Sequence, residues 1–202
     1  TTTYAVEGSI FVTGAAVQWL RDGLHIIDNA KEVEALAMSV PNADGVVMVP
    51  ALTGLGSPWW DPYARGGIFG ISRGTTRAHL ARATLESVAF QTRDVIEAMT
   101  KATGITLTEL RADGGATDNS FLMHFQADQL QVPVVLPIDR ETTACGAAFL
   151  AGLGIGAWAS TTDISAQWAS NVTYLPNNEN LSVVDASHAQ WLNAVQRVRA
   201  TQ

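Results

Sequence analysis

A single cysteine, Cys145, leaves no partner for an internal disulfide and makes the reducing cytoplasm the expected location. Charge is scarce, and its balance is acidic. Lys and Arg number 12 against 19 Asp and Glu, and the net charge of −7 argues against a nucleic-acid partner. No apolar run reaches the ~20 residues of a membrane span. The first residues carry no basic stretch followed by an apolar one, so no signal peptide is read. The four histidines (His25, His79, His124, His188) lack metal-ligand spacing, and no metal site is expected within the chain. What is present is an apolar fraction of 47%, enough for a sizeable core in 202 residues.

The dominant motif runs from Arg111 to Phe125. Leu110 and Ala112 alternate as a buried strand end would. Gly114 and Gly115 follow, removing two side chains where the chain must turn sharply and a ligand could approach the backbone. Thr117, Asp118 and Asn119 are N-cap types, so a helix is expected to begin there, with Phe121, Leu122 and Phe125 on one face. Such a strand–Gly-Gly–helix junction suits the phosphate or ribose side of a nucleotide, and the Asn119 amide could meet an adenine edge. On local pattern alone, the plain reading is a βα turn with nothing bound.

Upstream, residues 1–13 read as strand-like, and so abrupt an opening suggests a piece of a longer protein. A helix is expected from Ala15, with Val17, Leu20 and Leu24 as its inner stripe and Gln18 in its first turn. Residues 30–40 read as a helix stopped by Pro41, and residues 46–49 as a short buried strand. Residues 52–67 hold four glycines, two prolines, Trp59, Trp60 and Tyr63, a density that resists regular structure while the aromatics require burial or a partner. Both tryptophans are expected either to pack within the domain or to form an oligomer contact. The longest helix is expected over residues 77–103, with Ala81, Leu85, Val88, Thr92, Val95 and Met99 facing inward, Glu86 and Asp94 on other faces, and Gly104 as its stop.

Pro133 places a strand over residues 132–137 at a sheet edge or at a strand start. Residues 141–155 form an Ala/Gly-rich helix expected to pack against the glycine turn, with Cys145 as a small buried apolar residue rather than a nucleophile. Gly152, Gly154 and Ala157 fit a dinucleotide fingerprint, but the required strand, helix and distant acid are missing. Residues 159–180 read as polar loop, and residues 184–200 as a final helix.

The run Gly54-Leu-Gly-Ser-Pro-Trp-Trp-Asp-Pro-Tyr-Ala-Arg-Gly-Gly-Ile-Phe-Gly-Ile-Ser-Arg-Gly74, the segment Ala83–Asp94, the Asp113-Gly-Gly motif and the stretches Tyr4–Gly8 and Gln18–Asp22 together resemble the FGGY carbohydrate kinase family, in particular its kinases acting on glycerol. The resemblance covers about three quarters of the chain and fades from Ala159 onward. It implies an α/β, ribonuclease-H-like domain of the actin/hexokinase/Hsp70 superfamily, with a mixed sheet flanked by helices. Residues 1–158 would be an N-terminally truncated C-terminal, nucleotide-side domain, and residues 159–202 a polar loop and closing helix of that same domain. The resemblance further implies ATP with Mg²⁺, glycerol as the partner substrate bound outside this chain, and a homo-oligomeric, cytoplasmic parent. By analogy, Gly115 and Asn119 would contact the adenosine, Gly14 and Gln18 would lie near the phosphates with Val17 beside them, and Gly114 is counted with them as ATP-binding. The family's catalytic base has no counterpart here, so the chain alone is expected to be inactive. A kinase for another polyol or sugar, or a non-catalytic nucleotide-binding module, is the alternative.

Overall fold

The structure is a computed structural model, and it describes residues 4–199. Its axis is α3, Arg77–Thr103, ending at Gly104 in the left-handed conformation (φ 72°), whose N–H returns to the Thr100 carbonyl at 2.8 Å. These are the bounds the sequence predicts. On one side lie α1 (Gly14–Asp22) and α2 (Glu32–Met38), joined to α3 through Leu20, Ile27, Val33, Ala37, Ala81 and Leu85. Leu24, expected on the inner stripe of α1, is exposed.

A two-stranded antiparallel sheet pairs β1 (Val47–Val49) with β2 (Gly67–Phe69), Met48 opposite Ile68. The second sheet has the order β3-β4-β5 and is mixed. Here β3 (Leu110–Arg111) lies parallel to β4 (Val134–Pro137), and β5 (Ser170–Tyr174) lies antiparallel to it. Helix α4 (Ser120–Leu130) covers β4 through Leu122, Met123, Ala127, Val134 and Leu136. Helices α5 (Thr142–Gly154), α6 (Thr161–Ser165) and α7 (Leu181–Val198) complete the described chain.

Several expectations are corrected. Residues 4–13 form no strand, and Thr1–Thr3 lie outside the described residues. The segment crosses the surface as extended chain. The Ser9 carbonyl takes the Ser57 N–H at 2.8 Å, and the Ser9 N–H donates to Ser57 Oγ at 3.0 Å. Residues 159–180 are not simply a loop, because β5 forms there through backbone pairing while most of its side chains face solvent. The expected closing helix begins earlier, at Leu181, and Ala200 lies outside the described residues. Pro133 precedes β4 as a strand start, and β4 is central rather than an edge. Helix α5 is apolar yet largely exposed, with Leu150 72% accessible and only Gly152 buried. A Cβ on Gly114, Gly115 or Gly146 would meet nothing within 4 Å, so α5 does not press on the glycine turn there and meets the motif through its first residue, Thr142, whose hydroxyl donates to Asp113. Cys145 is half-buried rather than buried, and its thiol donates to Asp139 at 3.1 Å.

Helix α3 is buried on two faces, and the second is polar. Thr84, Ser87, Gln91 and Asp94 are all at most 8% exposed. Thr84 and Ser87 donate to the helix's own carbonyls, and Gln91 Nε2 reaches the Val12 carbonyl at 3.1 Å. Asp94, expected on an outer face, is buried where α3 meets α7. Its Oδ1 meets His188 Nε2 at 2.8 Å, and its Oδ2 accepts from Trp191 Nε1 at 2.8 Å and Trp59 Nε1 at 3.3 Å. A carboxylate only accepts, so His188 Nε2 carries the proton. The two tryptophans of the 52–67 loop therefore divide: Trp59 turns inward to Asp94, and Trp60 is 61% exposed.

Glu86 pairs with Arg82 at 2.9 Å, their side chains 13% and 16% exposed. Burial lifts the Glu86 carboxyl above the ordinary glutamate range, and Arg82 offsets only part of the rise. An acid raised in the folded state binds its proton more tightly there than in the unfolded chain. Its contribution to stability therefore falls as pH climbs from the ordinary value of about 4.3 through the raised one. Glu86→Gln should remove that slope. Urea midpoints from pH 4 to pH 7 should show the variant gaining on the parent as pH rises, whereas a constant difference would contradict the burial effect.

Candidate functional site: a cleft between two helix N-termini

Gly114 adopts a left-handed φ of 81° and opens a 3-10 turn, Gly115–Asp118. Thr117 is buried and locks the turn, its hydroxyl donating to the Gly114 carbonyl at 2.7 Å. Asn119 is extended and caps α4, its Oδ1 accepting the Leu122 N–H at 2.8 Å. The single helix expected from 117–119 is thus a short 3-10 turn followed by α4. The Asn119 amide oxygen already holds a hydrogen bond, which leaves the amino group as its available donor. Asp118 pairs with Arg140, and Asp113 accepts the Thr142 hydroxyl, so the turn is tied to the chain entering α5.

This turn forms one wall of a cleft of about 660 Å³. The first residues of α1 form the opposite wall, through Thr13, Gly14 and Val17. Leu85 and Val88 of α3 and Leu122 of α4 give an apolar floor, and Lys31 before α2, Glu34 of α2 and Asp118 bring charges to the lining. The volume lies within the ~300–1,000 Å³ typical of small-molecule sites. Of the six residues singled out in the sequence, Gly14, Val17, Gly115 and Asn119 line this space. Gln18 is exposed, one turn into α1, and falls outside the lining, as does Gly114, the hinge of the 3-10 turn.

The cleft has polarity. At the α4 end, one oxygen of Glu34 accepts both Ser120 Oγ at 2.6 Å and the Phe121 N–H at 3.0 Å. With Asn119 on the Leu122 N–H, the positive end of α4 is closed by side-chain acceptors, one of them anionic. At the α1 end, Thr13 makes no side-chain cap and the first turn holds no acid. The open helix end suits an anion, and the closed one suits a neutral group. Sequence reading missed Glu34 and Lys31, because nothing in a seven-residue helix announces a partner 86 residues away. Among the described residues, no group of three His, Cys, Asp or Glu side chains gathers to hold a metal ion.

Residues 1–155 match the model of the FGGY family of carbohydrate kinases, C-terminal domain. The chain belongs to the FGGY family of carbohydrate kinases. Among curated relatives, this FGGY domain is 54% identical over 203 residues to a glycerol kinase of Herminiimonas arsenicoxydans, covering 98% of this chain and 40% of that one. It is 56% identical over 196 residues to a glycerol kinase of Trichlorobacter lovleyi, covering 97% and 39%. Among solved structures it superposes on Plasmodium falciparum glycerol kinase with ADP at a TM-score of 0.85 and 32% identity, over 96% of this chain and 38% of that one. The FGGY domain thus spans about 40% of the length of the curated relatives it matches. Its fold is the expected α/β one of the actin/hexokinase class, with a mixed sheet flanked by helices.

Proposed function

We propose that this domain supplies the nucleotide half of a glycerol kinase, in which a longer chain transfers the γ-phosphoryl of ATP to glycerol and releases sn-glycerol 3-phosphate and ADP. The observation that carries this reading is the cleft, which joins an apolar floor, an exposed glycine backbone at Gly115 and one open helix end. The ADP named for the P. falciparum relative, and the glycerol kinases at 54–56% identity, support the same ligand and reaction. In this reading Gly115 admits the nucleoside close to the backbone, and Asn119 offers its amino group to the base. Gly114 shapes that turn. Gly14 and Val17 lie toward the phosphates, with Gln18 reaching them from outside the lining.

These residues bind and orient; they do not abstract a proton. The carboxylates that line the cleft are engaged, Glu34 with Ser120 and Phe121, and Asp118 with Arg140. Phosphoryl transfer needs a base on the acceptor hydroxyl and groups converging on the transferred phosphoryl. ATP-dependent transfer of this kind uses Mg²⁺, which is commonly held by one or two carboxylates together with the nucleotide's own phosphates. By the family resemblance, the base and the glycerol contacts belong to the remaining length of such a kinase, and the 202-residue chain alone should show no turnover. The parent is read as cytoplasmic and homo-oligomeric, with the exposed Trp60 and Tyr63 available for contact between copies.

ADP release by the longer kinase with Mg-ATP, compared across glycerol, xylulose, erythritol and gluconate, tests the reading. Turnover preferring glycerol is the expected result. Preference for another polyol would keep the nucleotide site and overturn the substrate. ATP binding without any turnover would make the domain a regulatory module.

A further inference from the structure

Glu34 does not belong to the glycine junction, yet it is bonded to the helix that the junction starts. A single carboxylate oxygen holds Ser120 Oγ at 2.6 Å and the Phe121 N–H at 3.0 Å, directly after the Asn119 cap. Its other oxygen makes no hydrogen bond among the described residues, and the side chain lines the cleft. The N–H of Phe121 is one of the α4 amides that no helix bond can satisfy, so Glu34 takes the place a bound anion would occupy.

We infer that Glu34 is a positioning residue with two effects on the nucleotide. It braces the first turn of α4 against α2, which holds Asn119 and the Gly115–Asp118 turn at a fixed distance from the apolar floor. It also sets a negative charge at the closed end of the cleft, so the phosphates of a nucleotide are turned toward Gly14 and only an uncharged nucleoside is admitted beside Asn119. This rests on the nucleotide reading of the cleft.

The test compares Glu34→Gln and Glu34→Ala in the longer kinase, with calorimetric binding of adenosine, ADP and inorganic tripolyphosphate alongside steady-state kinetics. The amide oxygen of Glu34→Gln keeps an acceptor for Ser120 and Phe121, so adenosine affinity should hold. Glu34→Ala should weaken adenosine and ADP about fivefold and raise KM for ATP with little change in kcat or in KM for glycerol. Both variants should bind tripolyphosphate about threefold more tightly, since both lose the charge. A merely structural Glu34 would not separate the two ligands in this way. Ser120→Ala, which removes one of the two bonds from outside the cleft lining, should weaken ADP about twofold and gives a reading if Glu34→Ala does not fold. Unchanged adenosine and tripolyphosphate binding in a folded Glu34→Ala protein, or unchanged ADP binding in Ser120→Ala, would overturn the assignment while leaving the nucleotide site intact. Failure of the parent to bind either adenosine or ADP would remove the nucleotide reading, and this inference with it.

Discussion

Replacing Asp94 with alanine should cost the fold about 2–6 kcal/mol, the range for leaving two buried N–H donors without an acceptor. Asp94 is 5% exposed, and the groups it accepts from are no better hydrated, with His188 at 4% and Trp191 at 0%. Removing the carboxylate leaves the His188 and Trp191 N–H groups without acceptors in a site water does not reach. Each such orphan costs about 1–3 kcal/mol. Trp59, held at 3.3 Å by the same carboxylate, loses its anchor as well. Asp94→Asn keeps the shape but turns an amino group toward one of these donors, so it should lose about half as much. Urea unfolding followed by tryptophan fluorescence measures both variants. A loss below about 1 kcal/mol for the alanine variant, the size of one ordinary hydrogen bond, would show that the cluster is not an anchor.

Gly70→Ala should also be strongly damaging, at about 2–6 kcal/mol, the sum of left-handed strain and backbone overpacking. Gly70 directly follows β2 with φ 77°, a conformation side chains rarely adopt. A Cβ there would stand 2.0 Å from the Gly45 carbonyl oxygen, and Gly45 itself has φ 75°. Neither backbone can yield without opening the β1–β2 pair. By contrast, Gly74→Ala meets only Ser72 Oγ at 3.6 Å and carries no positive φ. A comparison of thermal midpoints for the two variants isolates the effect. Equal midpoints would show that the sheet end relaxes freely.

The sequence was most legible where one signal governs the structure. The stop at Gly104 and the apolar spacing of Ala81, Leu85 and Val95 gave the bounds of α3, and the N-cap chemistry of Asn119 was recovered as an actual bond to Leu122. Asp94 was misread because a charge on a helix ordinarily faces water, and the partners that reverse this, His188 and Trp191, lie on α7 more than ninety residues on. Strand β5 was missed because its side chains remain solvated and only its backbone joins the sheet, which leaves Ser170–Tyr174 without apolar alternation. Helix α5 misled in the opposite direction: its composition reads as packed, and its surface is exposed. In the cleft, the glycines and the asparagine announced themselves by residue type. Glu34 did not, since a glutamate near a helix start is commonplace and its role comes from a contact made by tertiary folding.

Leu85 and Asp94 stand on the same uninterrupted helix, nine residues or roughly 14 Å apart along its axis. Leu85 is part of the floor under the cleft, and Asp94 is the seat of α7 and Trp59. A helix gripped on both faces behaves as a rod, so the floor and the seat share one mechanical frame. The floor beneath the gap between Gly14 and Gly115 is therefore seated by the same helix that seats α7, and its placement rests on contacts well outside the lining.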